Sequence, residues 1–160
     1  MLKLYKDVDG VIRYWETWDN DDKSATIHWG QLGQRGEDKV VKSELLSNFR
    51  KKVQKEIDEK IKQGYGPVDE DDHERLLIEY KVEDMGTPDD IEKRTRLQSR
   101  MDELVGWTGL GHCDGGSIGT GTMEVCCFVV DFEVARHVIE KDLADTKFSD
   151  YIRIFNESGE

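Results

Sequence analysis

The residues best suited to recognition chemistry are an aromatic and an arginine set in one glycine-punctuated turn. Residues 28–40 read His-Trp-Gly-Gln-Leu-Gly-Gln-Arg-Gly-Glu-Asp-Lys-Val. Trp29 stands at the mouth of the turn and Arg35 within it, while Gly30, Gly33 and Gly36 recur at every third position. Glycine permits positive φ and a close approach of the backbone to another surface. Two readings follow. Trp29 anchors an ordinary hairpin in the core, or it is presented to a ligand, with Arg35 beside it to hold an anion.

A second glycine-rich stretch runs through 109–121, Gly-Leu-Gly-His-Cys-Asp-Gly-Gly-Ser-Ile-Gly-Thr-Gly. It lacks the Gly-Lys-Ser/Thr of a phosphate loop and leads into an apolar strand, not a helix N-terminus. It therefore reads as a hairpin. His112, Cys113 and Asp114 adjoin there, but neighbours on a strand face opposite ways. The same holds for Cys126 and Cys127, so no metal site is expected. His28 alternates away from Trp29 and reads as structural or surface rather than catalytic. His73 and His137 have no partner at the spacing of a catalytic triad. Carboxylates abound without marking a pair. An enzyme built on residues 112–114 is set aside, and the expectation is a non-enzymatic protein with no cofactor and no small-molecule substrate. Trp15 and Trp18 lie three apart on one strand and so face opposite sides, one toward a core and one partly exposed. Trp107, after Gly106, reads as core.

The chain of 160 residues has room for one domain or two small ones. Hydrophobic and charged residues each make up 36%, a very polar globular composition whose aromatics and periodic segments oppose disorder. No apolar run approaches 18 residues, so no membrane partner is expected. The first residues lack the apolar region of a signal peptide. Three cysteines are an odd number, which fits a reducing cytoplasm better than a disulfide scaffold. The net charge of -12 is unevenly spread. Residues 1–67 carry 13 Lys and Arg against 12 Asp and Glu, and residues 68–160 carry 10 against 23. The acidic half repels nucleic acid, while the near-neutral half has room for a local basic face.

These residues need elements to hold them. Segments 2–7, 11–18, 24–32 and 38–42 are rich in β-formers and separated by polar or glycine turns, an antiparallel meander. From Ser43 the period changes. Leu45, Phe49, Val53, Ile57 and Ile61 make a helical stripe, with Ser43 as N-cap and Gly64 as the stop. An acidic run with Pro67 then reads as a linker over 68–74. Leu76, Ile78, Tyr80 and Val82 alternate as a half-buried strand. Thr87, Pro88 and two acids open a helix carrying Ile91, Arg94, Leu97, Met101 and Leu104. A hairpin over 107–131 has a second arm apolar enough for a central strand. Asp131 caps another helix, and 150–155 is a last strand. Residues 75–160 thus follow the β-α-β-β-α-β order of a ferredoxin-like domain.

Several pieces of the first half also fall in one order. Tyr14-Trp15-Glu16 lies on an early strand. Trp29-Gly30-Gln31-Leu32-Gly33 with Gly36 makes the turn, Phe49 sits in the helix, and Lys62-Gln63-Gly64-Tyr65 ends it. In this order and spacing, residues 1–67 resemble a WGR domain. That module is named for Trp-Gly-Arg and found in DNA-damage-sensing poly(ADP-ribose) polymerases and in isolated bacterial proteins. In those polymerases the motif's Trp packs on a sugar at a DNA break and its Arg holds phosphate, which implies a similar task for Trp29. This chain departs from the motif by carrying Gln31 at the arginine position. Glutamine forms no charged fork on phosphate. Arg35 is the expected stand-in, with Lys23, Lys39 and Lys42 adding charge. Nothing in 68–160 resembles an NAD-binding ADP-ribosyltransferase domain. The expectation is an α+β protein: a WGR-like domain over 1–67, an acidic linker over 68–74, and a ferredoxin-like domain over 75–160. The resemblance implies DNA-end binding through Trp29, Gly30, Gln31, Arg35, Lys39 and Tyr65. The alternative is an interaction or regulatory module that binds an unidentified protein.

Overall fold

The structure, a computed structural model, describes residues 1–159. The fold is α+β, with two four-stranded antiparallel sheets and three helices. The chain divides into two compact units, residues 1–69 and residues 70 onward. No helix among the described residues is long and apolar enough to cross a membrane.

The first unit is a meander of β1 (Leu2–Val8), β2 (Val11–Asp19), β3 (Ser24–Gln31) and β4 (Glu37–Lys42), followed by α1 (Phe49–Lys62). Period-two alternation sorts the side chains. Leu4, Trp15, Ala25 and Ile27 project toward α1 and are buried with Phe49 and Val53. Leu2, Trp29, Val41, Ile57 and Tyr65 pack around this cluster, half-buried. Trp15 is 2% exposed, while Trp18 is half-buried.

The start of α1 differs from expectation. Asn48, not Ser43, is the N-cap, and its side chain accepts from Arg50 N–H. Ser43 Oγ instead accepts from Phe49 N–H at 3.1 Å. Leu45 and Leu46 are not on the helix. They sit at the tip of a two-residue turn closed by paired hydrogen bonds between Glu44 and Ser47, fully exposed. A helical spacing that fits Phe49 therefore misreads Leu45, because the chain has already turned before the helix begins. At the other end Gly64 has φ +93°, and Gly66 pairs with Tyr5 at the sheet.

The second unit holds β5 (Glu74–Lys81), α2 (Pro88–Trp107), β6 (Gly111–Gly119), β7 (Thr122–Val129), α3 (Phe132–Leu143) and β8 (Arg153–Asn156). Residues expected as a free linker are partly structured, with a 3-10 turn at Glu70–Asp72 and β5 starting at Glu74. The strand order is β6-β7-β5-β8. Leu76, Ile78 and Tyr80 of β5 stand opposite Cys127, Val125 and Met123 of β7. All six are at most 1% exposed, and Leu97, Met101 and Val105 of α2 are fully buried. Thr87 and Asp90 close a reciprocal cap at the start of α2. Trp107, expected in the core as the start of a hairpin, is the last residue of α2 and is half-buried.

One expectation about cysteines is overturned. Cys113 and Cys127 are joined in a disulfide, leaving Cys126 as the free cysteine. The odd count concealed a pair and a spare. A bulge places Cys113 directly across the ladder from Cys127, and on β7 the side chain of Cys126 alternates to the other face. Burial raises the Cys126 thiol above its ordinary value, against the opposing hydrogen bond from Arg75.

Candidate nucleic-acid interface

The glycine turn has a structural purpose of its own. Gly30 lies opposite Tyr14 in the β2–β3 ladder. A Cβ on Gly30 would come within 2.9 Å of Gly36 Cα and 3.0 Å of Tyr14 Oη. One on Gly36, at φ +68°, would lie 2.2 Å from the Trp29 carbonyl oxygen and 2.5 Å from Tyr14 Oη. Only glycine lets the loop fold down onto this ring. Tyr14 Oη then reaches the carbonyls of Gln34 and Arg35 at 2.8 and 2.9 Å. His28 Nε2 also contacts the Arg35 carbonyl, and His28 Nδ1 lies 2.7 Å from a Glu16 carboxylate oxygen. Tyr14, Glu16 and His28 are all buried. Burial, then the Glu16 charge, pushes the Tyr14 hydroxyl well above its ordinary value. His28 is buried on the face opposite Trp29, as its alternation predicts.

This network occupies one face of the sheet, and Trp29 belongs to the other. Trp29 pairs with Trp15 across β2 and with Glu37 across β4, on the side of α1. It is half-buried. Lys39 Nζ sits 5.7 Å from the centre of its ring and 2.8 Å from Glu56 Oε1. Tyr65 packs against the same cluster, with Lys60 Nζ 5.0 Å from its ring centre. Gln31 lies directly opposite Arg13, and Arg13 directly opposite Lys6. Lys6 Nζ donates to the Gln63 carbonyl at the end of α1. A groove of about 590 Å³ runs between β4 and α1. Lys39, Lys52, Lys55 and Lys60 line it, with Glu56 and Glu59 as its acids.

The structure therefore brings Trp29, Gln31, Lys39 and Tyr65 to one side of the sheet. Gly30 and Arg35 serve the other: Gly30 makes room for Tyr14, and the Arg35 carbonyl is held by Tyr14 and His28. Arg35 itself is exposed. Lys6, Arg13, Lys52, Lys55 and Lys60 were not anticipated at the site. Strand register is the signal that brings Arg13 to Gln31, and helical spacing aligns Lys52, Lys55, Glu59 and Lys60 toward β4. The arrangement offers an aromatic edge and several ammonium and guanidinium groups. Groups of these types can stack on a ring and attract an anion.

At the second glycine stretch, Thr120 and Gly121 turn a hairpin between β6 and β7, both at positive φ. Cys113 is tied up in the disulfide, and the His112 ring stacks on Phe128 with centres 5.3 Å apart. Comparison with family models, with curated proteins and with solved structures finds no match to this chain.

Proposed function

We propose that this chain is a non-enzymatic binding protein whose first unit, a WGR-like module, takes nucleic acid at the Trp29 end of the α1–β4 groove. The observation that carries the reading is the placement of Arg13 directly across the ladder from Gln31, on the Trp29 side of the sheet. Directly opposed residues have Cβ atoms about 4.5–5.5 Å apart. Arg13 thus supplies a guanidinium at the point where the WGR motif would carry one, and it is better situated for this than Arg35. Lys39 over Trp29 and Lys60 over Tyr65 add positive charge on either side. A phosphate backbone fits this row, and a terminal sugar fits the edge of Trp29. In the second unit, the strand order β6-β7-β5-β8 with its two helices supports the ferredoxin-like reading of that half.

The test is titration of a nicked or blunt-ended duplex at two salt concentrations. Trp29→Ala is expected to weaken binding by about 1–3 kcal/mol at both. Arg13→Ala is expected to flatten the log–log salt slope by about 0.9, as one phosphate contact does. Arg35→Ala is expected to change neither. If wild type binds no duplex at low salt, where electrostatic attraction is least screened, the reading fails. A protein-interaction module is then the better reading, and the fully exposed Leu45 and Leu46 favour it.

A further inference from the structure

On α2 of the second unit, Arg94 is a half-buried cation without a partner. Its Nε is buried and makes no hydrogen bond. Among the described residues, no ion pair or hydrogen bond reaches its guanidinium. A buried N–H left unpaired is costly, and native structures fill such sites with a protein group, a water or an ion.

Asp90, Asp102 and Glu124 are engaged elsewhere. Asp90, one turn earlier, accepts from Thr87 N–H at 2.8 Å and Thr87 Oγ1 at 2.9 Å. Asp102, two turns later, accepts from Cys113 N–H at 2.9 Å. Glu124 takes the Ser117 hydroxyl at 3.2 Å. Across from Arg94 runs the glycine segment of β6. A Cβ on Gly116 would lie 2.2 Å from the Glu124 carbonyl oxygen and 3.2 Å from Arg94 Nη1, so only glycine fits here, with its backbone close to the guanidinium. Asp114 and Gly115 stand at the bulge, off the ladder register, and a Cβ on Gly115 would meet nothing within 4 Å. β6 is also an edge strand, so its outer backbone groups face no strand.

We propose that Arg94 and the Gly115–Gly116 bulge form a binding site for a carboxylate, either of a small organic acid or of an acidic residue on an extended peptide at the β6 edge. The planar guanidinium fork matches a carboxylate through two parallel N–H···O bonds. Residues 68–160 carry 23 acids against 10 bases. In that field a monoanion is tolerated better than a phosphate dianion, which selects carboxylate over phosphate. The site goes beyond the nucleic-acid reading, and it involves the other unit.

The experiment is NMR on the intact chain, following the Arg94 Nε–H and the Gly115 and Gly116 amides. The probes are acetate, a capped peptide with a single Glu, inorganic phosphate, and chloride at matched ionic strength. Acetate or the peptide is expected to shift these three signals to saturation, with chloride leaving them in place. A peptide at least tenfold tighter than acetate identifies a chain-borne carboxylate, and comparable affinities identify a small acid. Arg94→Lys is expected to weaken binding at least tenfold while leaving the remaining amide spectrum intact. Phosphate binding tighter than both carboxylate probes overturns the assignment, as do equal shifts with chloride or unchanged affinity in Arg94→Lys. If Arg94→Lys does not fold, the wild-type titration decides alone: an Nε–H signal unmoved by all carboxylate probes ends the proposal.

Discussion

At the scale of single residues, the first unit turns on how closely Tyr14 and Gly36 approach. Gly36 holds φ +68°, and a methyl there would collide with the Trp29 carbonyl and with Tyr14 Oη. Gly36→Ala therefore combines backbone strain with a clash, and is expected to destabilise the unit by well over about 1 kcal/mol in denaturant unfolding. A change within a few tenths would mean that the loop moves freely. Tyr14 makes a pH prediction. Burial first, then Glu16, raises its hydroxyl above the ordinary value. A group raised in the folded state contributes stability that is intact below its unfolded value and lost as pH rises past it. The unfolded tyrosine ionises near about 10, so stability is expected to hold to that point and decline above it. Tyr14→Phe strips a donor from the Gln34 and Arg35 carbonyls and is expected to cost about 1–3 kcal/mol. It should also soften the alkaline decline. Urea midpoints from about pH 8 to about pH 11 compare the two proteins, and parallel curves would show that Tyr14 is not the titrating group.

At the scale of elements, the clearest case is the passage from β4 into α1. Leu45 and Leu46 are fully exposed at a tight turn, so replacing both with Ser is expected to change stability by no more than about 0.5 kcal/mol. On a core-facing helical stripe the same pair would cost several times more. Asn48→Ala, by contrast, removes the actual cap and is expected to cost about 0.5–2 kcal/mol. Thermal or denaturant unfolding of the two variants separates these assignments. The elements show what the sequence made legible. All four strands of the meander could be read because polar turns and β-formers alternate cleanly there. Asp131 and the Thr87–Asp90 pair mark helix starts because their side chains satisfy backbone N–H groups. Asn48 was hidden because Leu45 happens to lie four residues before Phe49. Trp29, Lys39, Gln31 and Tyr65 could be named through the resemblance to a WGR domain, and the strand register and core packing put them on one side of the sheet. Arg13 could not be named, since only the β2–β3 register brings it to Gln31. The disulfide was hidden for a similar reason: 14 residues separate its cysteines, and a bulge decides which cysteine faces which.

At the scale of the whole molecule, two units of unlike charge reach stability by different means. The first, near neutral, closes one helix over a sheet around Trp15 and Phe49. The second carries most of the acids and holds its edge strand β6 to the central β7 by a covalent bond as well as hydrogen bonds. The bond matters because β6 is weakly anchored in other ways. Five of its nine residues are exposed, and four are glycine. Tying two residues 14 apart restricts the unfolded chain by about 3 kcal/mol for a loop of roughly 15 residues, in the chain-entropy account. A dithiol reductant, or Cys113→Ser, is therefore expected to destabilise the second unit by about that amount. Hydrogen exchange at β6 and β7 amides should quicken. Thiol counting checks the premise separately. Denatured without reductant, the chain should present one reactive thiol, Cys126, and after reduction all three cysteines. In the native state Cys126 is buried and its thiol is raised by that burial, so alkylation near neutral pH is expected to be slow until the unit opens. Three reactive thiols without reductant would show that the pair is not bonded in the purified protein. Unchanged exchange after reduction would show that the β6–β7 ladder holds without the bond.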